Sequence, residues 1–153
     1  KELESVRAKS QRSDTYLDED RTFNLKPDLW IKTANKSLVA DTKYKIVYSD
    51  DKDPKKGISQ NDLYQMLAYA VRIEVDEIIL IYPNTIKQDQ EENTQMIIKD
   101  ALANGKEITI KAFQLPIINR EIFEEEYNPR LKLSELFGKV RLTLINKLEL
   151  ILK

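Results

Sequence analysis

Asp28, Asp41 and Lys43 are the residues of this sequence best suited to chemistry, and the chemistry they suit is hydrolysis of a phosphodiester. That reaction needs a more nucleophilic water, charge neutralised on the phosphoryl group and a stabilised leaving alkoxide, and a bound Mg²⁺ can supply all of these. Mg²⁺ is a hard ion that takes oxygen ligands and keeps several waters, so one or two carboxylates, a backbone carbonyl and the substrate phosphate suffice to hold it. Asp41 and Lys43 are two residues apart in a β-rich run, so on a strand both project from one face, with Ala40, Thr42 and Tyr44 on the other. Asp28 belongs to the preceding run. If the runs pair as a hairpin, Asp28 approaches Asp41, and two carboxylates so placed repel unless a cation lies between them. Lys43 beside that cation could orient the attacking water, help it lose a proton, or offset transition-state charge; the spacing leaves these open.

A second group follows on a helix. Asp62, Gln65 and Tyr69 fall at i, i+3 and i+7, a shared face distinct from that of Leu63 and Leu67, and that face could line the site. Gln65 could hydrogen-bond the water, a metal ligand or a phosphate, and Tyr69 could bond a phosphate or brace Lys43.

The elements that must position these residues can be read from periodicity and breaks. Two β-rich runs, Phe23 to Ile31 and Ser37 to Val47, flank a polar turn from Lys32 to Lys36 and predict an antiparallel hairpin, to which the segment before Asp14 adds a further strand. Asp50 to Gly57 and Pro83 to Asn93 read as exposed loops. Between them Ser59 caps a helix from Gln60, with Asp62 completing a near capping box and Leu63, Leu67, Ala70 and Val71 as its apolar stripe. Glu77 to Tyr82 is a short apolar run ended by Pro83, a buried strand. Met96 to Ala101 and Glu107 to Phe113 surround Asn104-Gly105, which suits a tight hairpin turn; a helix from Asn93 to Ala103 is the competing assignment. Leu133, Leu136, Phe137, Val140, Leu144, Leu148 and Ile151 recur at helical spacing behind a Ser134 cap. A helix so apolar needs a partner, and the sheet is favoured over a second copy or a region outside this fragment. The expected fold is α/β, a mixed central sheet flanked by helices, with residues 1–116 as the core and 117–153 as a helical extension packing on the core or on a partner.

Composition narrows the chemistry. The chain has 153 residues, enough for one buried core, and neither cysteine nor histidine, which removes disulfides, thiolate zinc sites and imidazole-dependent nucleophiles. No apolar run is long enough to span a bilayer, so the expectation is a soluble, cytoplasmic protein. Its 25 basic and 26 acidic residues give a net charge of −1, so affinity for DNA has to be local or supplied by a partner. An isolated Asp-Thr-Lys also reads as a solvated cross-strand ion pair. The order of elements separates the two readings: Pro27-Asp28, a turn, an apolar strand into Asp41-Thr42-Lys43, a loop, then a capped helix carrying Gln65-Met66-Leu67-Ala68-Tyr69.

That ordered set resembles the PD-(D/E)XK nuclease superfamily in its RecB-like branch, whose helix carries Gln-x-x-x-Tyr. More narrowly, Leu25 to Ile31, Val39 to Lys45 and Ile58 to Ala70 look like the McrC family, with Ile81-Tyr82-Pro83 following the helix as expected. McrC proteins are the nuclease subunits of McrBC restriction systems, which act on DNA carrying 5-methylcytosine with an AAA+ GTPase, McrB. The resemblance implies a restriction-endonuclease-like core in which Asp28 and Asp41, with the Thr42 backbone carbonyl, hold Mg²⁺, for which Mn²⁺ can substitute. It also implies that Lys43 is the motif lysine, that Gln65 and Tyr69 complete the site, and that the partners are DNA and an McrB-like GTPase, with a homodimer open. An acidic residue on a helix before the first strand belongs to the pattern too. Only Glu2 and Glu4 precede the added strand before Asp14, so the chain is expected to be a fragment that lacks this element and binds metal without cutting well. The alternatives are a RecB-like nuclease of another defence or repair system, and a non-catalytic assembly or DNA-binding module that retains the fold.

Overall fold

The computed structural model describes residues 7–10, 14–45, 53–55, 57–84, 93–100, 106–117 and 133–152. In chain order these form β1 (Arg7–Ser10), β2 (Thr15–Tyr16), β3 (Asn24–Leu25), β4 (Leu29–Lys32), β5 (Ser37–Thr42), α1 (Gln60–Ile73), β6 (Glu77–Pro83), β7 (Asn93–Asp100), β8 (Lys106–Leu115) and α2 (Leu133–Leu152). The fold is α/β: a six-stranded mixed sheet in the order β1-β4-β5-β6-β8-β7, with β2 and β3 as a separate pair. β5, β6 and β8 run parallel and the outer strands antiparallel. Parallel neighbours need a crossover, and α1 supplies it between β5 and β6.

The run from Phe23 to Ile31 is not one strand. Pro27 has no N–H to give a ladder, and the chain breaks there into β3, which pairs with β2, and β4, which pairs with β5. The turn between β4 and β5 closes as expected, with Thr33 N–H donating to Lys36 O at 2.9 Å and Lys36 N–H to Thr33 Oγ1 at 3.1 Å. β5 ends at Thr42 rather than at Val47, which lies outside the described residues. One more rung survives past its end, where Lys43 N–H donates to Ile81 O at 2.8 Å, so the alternation that sets Asp41 and Lys43 on one face is kept.

β6 is the central strand and is buried on both faces from Ile78 to Tyr82. One face carries Val39, Ile78, Leu80, Tyr82, Ile110 and Ala112 under α1. The other carries Ile31, Leu38, Ala40, Ile79, Ile81 and Leu115, and Leu144, Leu148, Ile151 and Leu152 of α2 pack there. Ser134 lies within the first turn of α2 rather than capping it. The β7–β8 hairpin forms in place of a helix at 93–100, with its turn at 101–105 outside the described residues. Among the described residues no helix is long and apolar enough to cross a membrane.

Helix α1 starts where its cap predicts. Ser59 is extended, and its side chain accepts from Asp62 N–H. Its buried face is rotated by about one residue from the apolar stripe read in sequence. Met66, Tyr69 and Ala70 are buried together with Asp62, whereas Val71 is 54% exposed and Leu63 and Leu67 are half-buried. Asp62 and Tyr69 turn inward because each finds a partner there, which an apolar-only pattern does not register.

Candidate functional site

The β4–β5 register pairs Leu29 with Ala40, and one further step sets Asp28 opposite Asp41. Asp28 is also fixed from the backbone. Its Oδ2 accepts the Thr42 N–H at 2.7 Å and the Thr42 hydroxyl, while its own N–H donates to the Asp41 carboxylate. Pro27 serves this arrangement by ending the pairing with β2, so that the next residue faces β5.

Asp41 is 4% exposed, and its Oδ2 lies 2.5 Å from Lys43 Nζ. The Lys43 ammonium also donates to Gln65 Oε1 at 2.6 Å, and Gln65 Nε2 lies 2.9 Å from the Tyr69 hydroxyl, to which it donates. A single hydrogen-bonded line therefore runs from the end of β5 onto α1. Burial pushes the Asp41 carboxyl above the usual carboxylate range; Lys43 pulls it back, and the Asp28 charge opposite adds to the rise. The Tyr69 phenol is raised as well, by burial first and then by the Asp41 charge. Asp41 is thus buried with one cation, Lys43, beside it and a second, half-buried carboxylate, Asp28, across from it.

Asp28 and Asp41 are the residues here that could hold a small hard cation. Two carboxylates on adjacent strands satisfy the side-chain demand of Mg²⁺, which takes its other ligands from carbonyls, water and phosphate. Among the described residues no group of three or more aspartate, glutamate, histidine or cysteine side chains is placed to hold a metal ion, so Asp28 and Asp41 supply two carboxylates and no third.

Asp62, expected on the site-lining face, is engaged elsewhere. It forms an ion pair with Lys45 and accepts from the Tyr82 hydroxyl at 3.1 Å, and Lys45 Nζ also donates to Ser59 Oγ at 3.0 Å. Burial alone would raise the Asp62 carboxyl, but the bonds from Lys45, Ser59 and Tyr82 together hold it below its ordinary value. Tyr82 is driven well above the usual phenol range, by burial first and then by Asp62. This cluster clamps the first turn of α1 to the residues after β5, and so sets how near Gln65 comes to Lys43. Sequence reasoning missed Lys45 and Tyr82. Lys45 was within reach, since it follows Lys43 at the same alternation; Tyr82 was not, because only the parallel register of Leu80 with Asp41 brings its strand alongside.

Fold and site together define an α/β domain that gathers a carboxylate pair and a glutamine-held lysine where the central strands meet the crossover helix. A family model described as McrBC 5-methylcytosine restriction system component matches residues 2–83, just over half of the chain, and the protein belongs to that family. The matched span runs from before β1 to the end of β6 and includes Asp28, Asp41, Lys43, Gln65 and Tyr69. No curated protein matches the chain.

Proposed function

We propose that this component is the nuclease subunit of its restriction system, a Mg²⁺-dependent DNA endonuclease of the PD-(D/E)XK class. The observation that carries the reading is the placement of Lys43 between Asp41 and Gln65, with Asp28 across the strand from Asp41. The ion's ligands are the Asp28 and Asp41 carboxylates and the Thr42 carbonyl. When bound, Mg²⁺ neutralises phosphoryl charge, raises the nucleophilicity of water and stabilises the leaving oxygen.

Lys43 acts as a donor rather than a base. Two of its three N–H bonds go to Asp41 Oδ2 and Gln65 Oε1, and the third remains to orient the water or to bond a phosphate oxygen as negative charge grows there. Gln65 and Tyr69 hold that ammonium in place from the helix. Water oxygen adds to phosphorus and gives up its proton to solvent, the ester P–O bond breaks with its electron pair, and the departing alkoxide takes a proton from solvent. Membership in the McrBC system suggests partnership with its other component, and we assign that partner as an AAA+ GTPase that recognises and moves along the modified DNA.

The test combines the chain, its GTPase partner, GTP and Mg²⁺ on plasmid containing 5-methylcytosine, with metal binding followed separately by calorimetry. Asp41→Ala is expected to lose both Mg²⁺ binding and cleavage, and Lys43→Ala to lose cleavage alone. Undiminished cleavage in both variants would make the chain an assembly module and the reading wrong.

A further inference from the structure

Four side chains on the first two strands of the sheet take no part in the site. Arg7 pairs with Lys32 and Lys9 with Trp30 across the antiparallel β1–β4 ladder. Directly opposed residues point to the same face, and so do alternate residues along a strand. Trp30 in turn opposes Val39, which packs in the core under α1, and Asp41 lies two residues further along β5 on that face. Arg7, Lys9, Trp30 and Lys32 therefore stand on the same side of the sheet as Asp28 and Asp41.

Helix α1 does not cover this part. The cluster beneath it takes Val39 from β5, Ile78, Leu80 and Tyr82 from β6, and Ile108, Ile110 and Ala112 from β8, with Leu25 of β3 beside them and no residue of β1 or β4. Arg7, Lys9 and Lys32 are exposed, and Trp30 is half-buried. On β1 and β4 no acid other than Asp28, which immediately precedes β4, shares their face. Alternate side chains recur about every 7 Å along a strand, so the row from Asp28 through Trp30 to Lys32 spans about 14 Å.

We propose that Arg7, Lys9 and Lys32, with Trp30 among them, form a track for a DNA strand leading from the carboxylate pair to the sheet edge. The ligand class rests on the nuclease reading above. Cations in a row neutralise successive phosphates, and an indole face stacks an unpaired base without regard to its identity. In a chain of net charge −1, affinity for DNA that is not supplied by a partner has to come from such a local feature.

Trp30 is the single tryptophan, so its emission reports on the track alone. The chain in EDTA is titrated with a thymidine oligonucleotide of about 16 residues, within the site sizes of single-strand binders. Saturable quenching of Trp30 is expected. The combined Arg7→Glu, Lys9→Glu and Lys32→Glu variant, followed by anisotropy, should bind about tenfold more weakly or worse, and its salt dependence should fall by about two in log–log slope. All three positions are exposed, and an unchanged circular dichroism spectrum would show the variant folded. Trp30→Phe should keep most of the affinity and Trp30→Ala should not. Unchanged Trp30 emission at saturating DNA, absence of DNA binding, or equal affinity in the charge-reversed variant would overturn the track. Asp41→Ala should quench like the parent, so a failed nuclease reading and a failed track give different results.

Discussion

Lys43 and Lys45 leave the end of β5 at alternate positions, and each meets an aspartate, yet the two pairs are opposites. Asp41 is buried with a second carboxylate across from it, and its carboxyl is pushed up. Asp62 is buried as well but collects bonds from Lys45, Ser59 and Tyr82, and its carboxyl is held down. Burial has the same sign in both; the number of donors and the presence of a like charge decide the outcome. A buried carboxylate with one cation and a like charge opposite stays raised, whereas one that collects bonds from three side chains serves as a clamp.

The largest expected effect breaks the likeness between the lysines. In the reconstituted system Lys43→Ala should lower the cleavage rate by a factor on the order of 10² to 10⁴, typical of a positioned proton-transfer or charge-stabilising group. Lys45→Ala should stay within about tenfold of the parent, because its loss loosens α1 without removing a group from the reacting phosphate. Equal losses would mean that the two pairs are one site.

Stability should show the reverse order. Asp62→Asn breaks a buried bonded network and is expected to cost about 2 kcal/mol, seen as a midpoint about 4 to 8 °C lower in thermal unfolding. Asp41→Asn relieves repulsion from Asp28 while losing one ion pair, and should cost less than about 1 kcal/mol in the absence of divalent metal. A larger loss for Asp41→Asn than for Asp62→Asn would show that Asp41 belongs to the scaffold.

Acid should then erase the Asp62 difference. The folded pKa of Asp62 lies below its unfolded value of about 3.9, so its stabilisation is fully present above that value. It is lost as pH falls through the lower folded value. The midpoint gap between the parent and Asp62→Asn should therefore narrow over that range, and a gap that widened in acid would assign the wrong sign to the clamp. Ser59→Ala, which removes the N-cap acceptor of α1 and a partner of Lys45, should cost about 1 kcal/mol in denaturant unfolding, less than Asp62→Asn.

Much of the fold was legible where local chemistry and tertiary demand agree. The Ser59 cap, the apolar β6 and the β7–β8 hairpin carry strong short-range signals, and the elements form where those signals lie. The readings that shifted did so where a polar group is buried or a donor is missing. The α1 stripe moved because Asp62 and Tyr69 are satisfied inside, and the first strand split because Pro27 cannot donate. In the site, the shared face of Asp41 and Lys43 follows from strand alternation, and the reach of Gln65 to Tyr69 from helical spacing. Asp62 was misplaced because its face on the helix says nothing about which strand lies beneath it.

Taken alone, the sequence determined which side chains stand together within an element: Asp41 with Lys43, and Gln65 with Tyr69. These follow from the backbone periods of strand and helix, which are set by covalent geometry and local sterics. Only the tertiary structure decided which faces meet: Asp28 with Asp41 through the hairpin register, Lys43 with Gln65 and Lys45 with Asp62 through the docking of α1, and Tyr82 with Asp62 through the parallel pairing of β5 and β6. Those meetings depend on burying both faces of β6 at once, a condition spread over residues far apart in the chain and written in no local stretch of it.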